Sequence, residues 1–260
     1  MKKRVKAIVL AAGKGTRMKS SKAKVLHEVF SGPMIHHVLN SLLPLGLEEI
    51  IVVTGHQAEE VEASLAGFEV TFARQREQLG TGHAVLAAGK SFADYEGTVM
   101  ILCGDTPLIR SVTLARMISE HQASDSVITV MSTILDFPTG YGRIITGPDG
   151  EVVGIVEEKD ATTAEKAVRE INAGVYCVES GFLREGLKRI GCDNSQGEFY
   201  LTDLIGVAIK LGQTVNRCLC TDPVEVLGVN SPKDLEEAGI ALGARLGSPI
   251  AAEETNPLTL

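Results

Sequence analysis

Short runs of aliphatic and β-branched residues alternate with helix-patterned stretches through the first half of this 260-residue chain, and that rhythm constrains its fold more than any other feature. Strands are expected at 5–10, 49–54, 69–72 and 98–103, with helices at 33–43, 57–66, 82–90 and 112–121 between and after them. Nearly continuous apolar strands are buried on both faces, and parallel strands need a long crossover, usually a helix. The expected fold is therefore α/β, with a mostly parallel sheet, right-handed crossovers and helices on both faces. Pro33 and Pro232 suit first helical positions, and Thr81, Ser111 and Ser231 suit N-caps.

Near Phe137 the rhythm changes. Pro138, Gly140, Gly142, Gly147, Pro148 and Gly150 break the chain into turns, and strands are then expected at 127–134, 143–146, 152–157, 171–178 and 215–220. Pro148-Asp149-Gly150 between two β-branched runs predicts a hairpin. Helices are expected at 163–169, 181–188, 200–211 and 232–246. The expected division is one domain over 1–230, with a smaller lobe over roughly 137–230 added to its sheet, then a C-terminal helix and loose tail over 231–260.

The segment Leu10-Ala11-Ala12-Gly13-Lys14-Gly15-Thr16-Arg17-Met18 follows the first strand, and Lys24 follows soon after. Nine Lys and Arg residues precede Glu28, the first acid, although the whole chain carries −8. Glycines let backbone N–H groups approach a ligand, and cations neutralise phosphate. A basic, glycine-containing entrance on an acidic protein points to a polyphosphate ligand and away from nucleic acid. Two familiar phosphate motifs fail here. A Walker A loop needs glycine where Ile8 stands, and Ser or Thr in place of Gly15; a dinucleotide fingerprint needs glycine in place of Met18. The loop is either an anion site of another kind or a basic surface turn.

Gly104-Asp105-Thr106-Pro107 closes an apolar run, where open α/β sheets bind ligands. Asp105 there fits either a Mg²⁺ ligand or an Asx turn. The loop from Arg74 to His83 holds Gln75, which offers donor and acceptor together, with Gly80 and Gly82 for close approach. Glu157, Asn172 and the Tyr141-Gly142-Arg143 run supply hydrogen-bonding groups of the kind sugars need, each equally at home in a structural role. Gly-x-Ser-x-Gly and His-Glu-x-x-His are absent. Five cysteines without a Cys-x-x-Cys spacing predict reduced thiols, with neither a disulfide framework nor a zinc site. Lys2, Lys3, Arg4 and Lys6 before 7–12 imitate a secretory signal, but the apolar stretch is too short and cations follow it. A soluble cytoplasmic protein without membrane or nucleic-acid contact is expected.

These pieces together resemble the bacterial N-acetylglucosamine-1-phosphate uridyltransferase family from about Val5 to Asp234. Besides the entrance loop, the resemblance rests on Lys-Val-Leu-His (24–27), Gln-Leu-Gly-Thr-Gly-His-Ala (78–84), Gly-Asp-Thr-Pro-Leu-Ile (104–109) and Pro-Thr-Gly-Tyr-Gly-Arg-Ile (138–144). It continues in Gly-Ile-Val-Glu-Glu-Lys-Asp-Ala (154–161), Glu-Ile-Asn-Ala-Gly (170–174), Gln-Gly-Glu-Phe-Tyr-Leu-Thr-Asp (196–203) and Gly-Val-Asn (228–230). The resemblance implies a Rossmann-like nucleotide-diphospho-sugar transferase fold with a smaller sugar-binding lobe. It implies that UTP and N-acetylglucosamine 1-phosphate give UDP-N-acetylglucosamine and pyrophosphate, feeding cell-wall synthesis. Carried over by position, Leu10, Ala11, Ala12 and Gly13 with Gln75, Gly80 and Thr81 would hold the nucleotide. Arg17, Lys24 and Asp105 would be catalytic, with Asp105 and Asn230 on Mg²⁺. Gly142, Glu157 and Asn172 would hold the amino sugar, with Cys103 and Gly104 beside it. Cys103 and Ala23 depart from the family, which often has an aromatic residue and a proline there. The family's second half is a trimer-forming β-helix with acetyltransferase activity. Nothing after Leu246 resembles it, so neither that activity nor such a trimer is expected.

Two other readings remain at this stage: a glucose-1-phosphate uridylyl- or thymidylyltransferase, and a non-catalytic sugar-nucleotide-binding protein. A substrate phosphate ionised at pH 7 needs no general base, so a missing nucleophile–base pair excludes little.

Overall fold

The computed structural model describes residues 4–247. The first half runs β1 (Val5–Ala11), β2 (Glu28–Val29), β3 (Gly32–Pro33), α1 (Met34–Leu42), β4 (Glu49–Thr54), α2 (Ala58–Ser64), β5 (Thr71–Arg74), α3 (Thr81–Ala87), β6 (Thr98–Cys103) and α4 (Ser111–Ala123). The second runs β7 (Ile128–Ile134), β8 (Arg143–Thr146), β9 (Val152–Val156), α5 (Thr163–Lys166), β10 (Glu170–Glu179), α6 (Ser180–Gly186), α7 (Asp203–Lys210), β11 (Val215–Leu219) and α8 (Pro232–Leu246).

One large sheet has the order β11-β7-β10-β6-β1-β4-β5, with the β8–β9 hairpin joined to it through β10. The pairs β6–β1, β1–β4, β4–β5 and β7–β11 are parallel, whereas β10 is antiparallel to both β6 and β7. The alternating side-chain direction of a strand divides the core. Ala7, Val9 and Ala11 of β1 meet Val38 and Leu39 of α1, Val61 of α2, and Leu114 and Met117 of α4. Ile8 faces the other layer, with Val85 of α3, Leu183 of α6, and Leu204 and Ile205 of α7. Among the described residues no helix is long and apolar enough to cross a membrane.

The register places the candidate site. Leu10 is level with Cys103 on one side and with Val53 on the other, while Thr54 is level with Arg74. The loops after β1, β5 and β6 therefore leave one edge of the sheet together, at strand carboxyl ends. Tyr176 of β10 is level with Ile101, so the antiparallel strand brings Gly174 level with the end of β6 and carries residues 172 and 173 past it to that same edge. Its pairing with β7 breaks between Asn172 and Tyr176, where Gly174 takes φ +73°.

Several boundaries differ from expectation. The third strand lies at Thr71–Arg74, two residues later than expected, and the small β2–β3 hairpin was not foreseen. Ser231 caps α8 as expected, in a capping box with Asp234 and with Pro232 first in the helix. Thr81 and Ser111 instead lie inside their helices, after Gly80 and Arg110, and Pro33 stands just before α1. The reason is tertiary. The Thr81 hydroxyl accepts the Leu201 N–H at 3.0 Å, and the buried Glu225 carboxylate takes the Arg110 N–H at 3.3 Å. The expected loose tail lies outside the described residues from 248 onward.

Candidate active site

The entrance loop is shaped by its own close contacts. Gly15 adopts φ +60°, and a Cβ there would come within 2.6 Å of Lys24 Cβ. Only glycine lets the two segments lie this close. Met18, Val25 and Leu26 are buried beneath the loop, anchoring the short helical turns that carry Arg17 and Lys24. Two cations are thus fixed at the base while their heads face the cleft.

Asp105 and Asn230 meet those heads. The Gly104 N–H donates to Leu10 O at 2.9 Å, setting Asp105 directly after β6. Asp105 O accepts the Val229 N–H at 2.9 Å, which draws the 228–230 segment alongside. The Asp234 carboxylate accepts the N–H groups of Asn230 and Ser231 at 2.8 and 2.9 Å, so the cap of α8 also orients Asn230. Asn230 Nδ2 donates to Gly228 O at 3.0 Å, leaving Oδ1 turned outward. That oxygen accepts from Lys24 Nζ at 2.6 Å and from Arg17 Nη2 at 2.7 Å, while Lys24 also donates to Asp105 Oδ2.

The convergence also tests the fit of Mg²⁺. One ammonium reaches the oxygens of both Asp105 and Asn230, so a single cation can be shared by the pair. A carboxylate and an amide oxygen are hard donors of the kind Mg²⁺ takes alongside phosphate and water. Among the described residues no group of three or more His, Cys, Asp or Glu could hold a metal ion. An ion on this pair would therefore draw its remaining oxygens from substrate and solvent. The residues fit.

Two adjoining cavities run along the sheet edge. One of about 250 Å³ is lined by Leu10, Ala11, Gly13, Arg17, Lys24, Thr81, Cys103, Asp105 and Asn230 among others. The next, of about 420 Å³, shares Leu10, Gly13, Gly15, Thr16 and Thr81 with it and adds Ala12, Gln75, Gln78, Gly80 and Glu198. Gln75 is 3% exposed, and its amide donates to Gly80 O at 3.1 Å and pairs with His83 Nδ1 at 3.0 Å. Gly80 has φ +109°, and a Cβ on it would strike Phe199 O at 2.6 Å. Phe199 N–H donates to Leu79 O and Gly82 N–H to Phe199 O, each at 2.8 Å, so residues 198–201 clamp this turn from behind. A separate cavity of about 460 Å³, lined by Tyr141, Leu108, Leu227 and Ala241, meets the first only at Arg17 and Asn230.

Gly142, Glu157 and Asn172 line neither cleft cavity but are drawn together beside it. Asn172 N–H donates to Gly142 O at 2.9 Å, and a Cβ on Gly142 would lie 3.3 Å from Glu157 Oε2. Asn172 Nδ2 donates to the Tyr176 hydroxyl at 2.6 Å, and its Oδ1 accepts Gly174 N–H at 3.0 Å. A Cβ on Gly174 would lie 3.6 Å from Cys103 Sγ, which links this group to the cleft wall. Burial raises the Glu157 carboxyl above the ordinary range, Asp203 and Asp160 add to the rise, and the Thr202 hydroxyl bond at 2.9 Å opposes it. Burial, then the Asp105 charge, pushes the Cys103 thiol up to about 12, so it stays protonated at neutral pH. Sequence reasoning gave no role to Thr202, Tyr176 or Asp234. Only Asp234 left a local signal, the Ser-x-x-Asp spacing of a capping box.

A family profile described as a MobA-like NTP transferase domain matches residues 7–145. The chain is 50% identical over 234 residues to the bifunctional protein GlmU of Geobacter metallireducens, covering 90% of this chain and 49% of that protein. It is 51% identical over 238 residues to the GlmU of Desulfotalea psychrophila, covering 92% of this chain and 70% of that one. The chain thus spans about half the length of the first relative and over two thirds of the second. A Bacillus anthracis protein described as a glucose-1-phosphate thymidylyltransferase, solved in complex with sucrose, superposes with TM-score 0.73 at 19% identity. That match covers 91% of this chain and 94% of the other, and it shows the fold.

Proposed function

This chain belongs to the MobA-like NTP transferase family and, within it, to the GlmU kind, and from that premise we propose that it joins UTP to N-acetylglucosamine 1-phosphate with release of pyrophosphate. The observation that carries this reading is the meeting of Lys24, Arg17, Asp105 and Asn230 between a glycine-lined cavity and a polar group around Asn172.

The difficulty of the reaction is charge. Two unit negative charges ~4 Å apart repel by about 4 kcal/mol at an effective dielectric near 20, and two phosphates bring several such pairs. Lys24 and Arg17 offset that repulsion as the sugar phosphate nears the α-phosphorus. Mg²⁺ held by Asp105 and Asn230 would supply Lewis-acid stabilisation of phosphoryl oxygens. Leu10 to Gly13, with Gln75, Gly80 and Thr81, hold and orient the nucleotide in this proposal. Gly142, Glu157 and Asn172 hold the sugar, and Cys103 and Gly104 form the wall beside it.

The transfer is direct and in line. Cys103 is the one thiol on the described cleft wall, and its raised pKa keeps it from being a thiolate. The protein's work is alignment and charge compensation. Pyrophosphate release from UTP, N-acetylglucosamine 1-phosphate and Mg²⁺ tests the proposal. Silence with that pair, and turnover with glucose 1-phosphate and dTTP or UTP, would replace it with a glucose-1-phosphate nucleotidyltransferase.

A further inference from the structure

Lys24 is engaged twice over. Its ammonium donates to Asp105 Oδ2 and to Asn230 Oδ1, the same two oxygens proposed above for the divalent ion. An ammonium and a divalent ion on those groups would stand within a few ångströms of each other, and like charges that close repel. The surrounding charge does not favour a second cation either: Asp105 and Asp234 stand against Lys24 and Arg17, two acids against two bases. The Lys24 and Asp105 side chains are only 13% and 21% exposed, so solvent screens the pair incompletely. Lys24 also has somewhere to go. It lines the 250 Å³ cavity together with Gly13, Gly15, Thr16 and Arg17, where the phosphates are proposed to lie. A lysine is a point charge on a flexible stem, able to exchange one oxygen partner for another without moving its backbone.

We propose that Lys24 guards the Asp105–Asn230 pair and must be displaced from it before a divalent ion binds, so that the ion enters with the nucleotide whose phosphates receive the ammonium. This rests on the reading of Asp105 and Asn230 as the Mg²⁺ pair. One lysine then serves two partners in succession, and the chain alone has low affinity for divalent ions. Arg17 shares Asn230 Oδ1 but makes no bond to Asp105, so its removal is expected to matter less.

The test is binding of Mn²⁺ alone, read by electron paramagnetic resonance of the free ion. Lys24→Met should bind at least tenfold tighter than the unaltered chain, and Arg17→Met by a smaller factor. Adding Asp105→Asn to Lys24→Met should abolish the gain. Lys24→Gln should move the same way and guards against a folding defect in the first variant. Calorimetric UTP affinity, with Mg²⁺ and with EDTA, checks the underlying reading in the unaltered chain and in Asp105→Asn. If UTP binding depends on Mg²⁺ and Asp105 while neither Lys24 variant gains Mn²⁺ affinity, the guarding role is wrong and the metal pair stands. If UTP binding ignores both Mg²⁺ and Asp105→Asn, the metal reading falls and this inference falls with it.

Discussion

The glycine-lined end of the cleft, proposed for the nucleotide, and the end around Asn172, proposed for the sugar, are built by different means. At the first, the backbone does most of the shaping: Gly15 and Gly80 have positive φ, and a Cβ at either would meet another segment at 2.6 Å. At the second, side chains are propped by other side chains, Glu157 by Thr202 and Asn172 by Tyr176. Backbone shape lies in local sequence, whereas the props come from distant positions. Substitutions at the two ends should therefore separate kinetically, and those at the junction should damage both.

The junction should show the largest effect. Asp105→Asn is expected to lower kcat by roughly a thousandfold, since a bound divalent ion contributes several kcal/mol of charge stabilisation. Its melting temperature should stay close to that of the unaltered chain, and near-normal turnover would remove Asp105 from the metal. Next, Glu157→Gln should raise KM for the sugar phosphate by about ten- to a hundredfold, the worth of a hydrogen bond to a charged group. KM for UTP should not move. The burial that raises the Glu157 carboxyl keeps it protonated above the ordinary carboxylate range. Sugar-phosphate affinity should therefore improve as pH rises through that raised value and then level off, and Glu157→Gln should flatten this limb.

The contrast sharpens with two smaller changes. Gly80→Ala places a Cβ against Phe199 at φ +109° and ψ 174°, a region essentially reserved for glycine, and the conformation alone costs about 1–3 kcal/mol. It should raise KM for UTP by about tenfold and leave the sugar phosphate unaffected. Tyr176→Phe, which removes the hydroxyl under Asn172, should raise KM for the sugar phosphate by roughly three- to tenfold. If both variants changed both substrates equally, the two ends would not be independent. The smallest effect is expected at Ser231→Ala, which loses the cap behind Asn230 and about 1 kcal/mol of stability, measurable by thermal melting.

The same division governs what could be read in advance. The runs at β1, β4 and β6 are legible because short β-branched segments between helical patterns leave few alternatives, and their ends define the edge that holds the candidate site. Ser231 and Pro232 were legible because a cap is a local device. Thr81 was misplaced because its hydroxyl answers to Leu201, whose arrival depends on the whole second half of the chain. The residues behind Glu157 and Asn172 are hidden for the same reason: Thr202 lies 45 positions from Glu157, and Tyr176 sits among buried neighbours in β10 with no local feature that sets it apart. The resemblance named Glu157 and Asn172, but physical reading of their neighbourhoods needed the fold.

The central claim is that this cleft aligns and neutralises two phosphates and contributes no covalent nucleophile of its own. The configuration at phosphorus, followed with UTP bearing a chiral thiophosphate at the α-position, tests that claim most directly. Inversion is expected, because the sugar phosphate attacks once and in line. Retention would require two displacements and an enzyme-bound intermediate, and would contradict it.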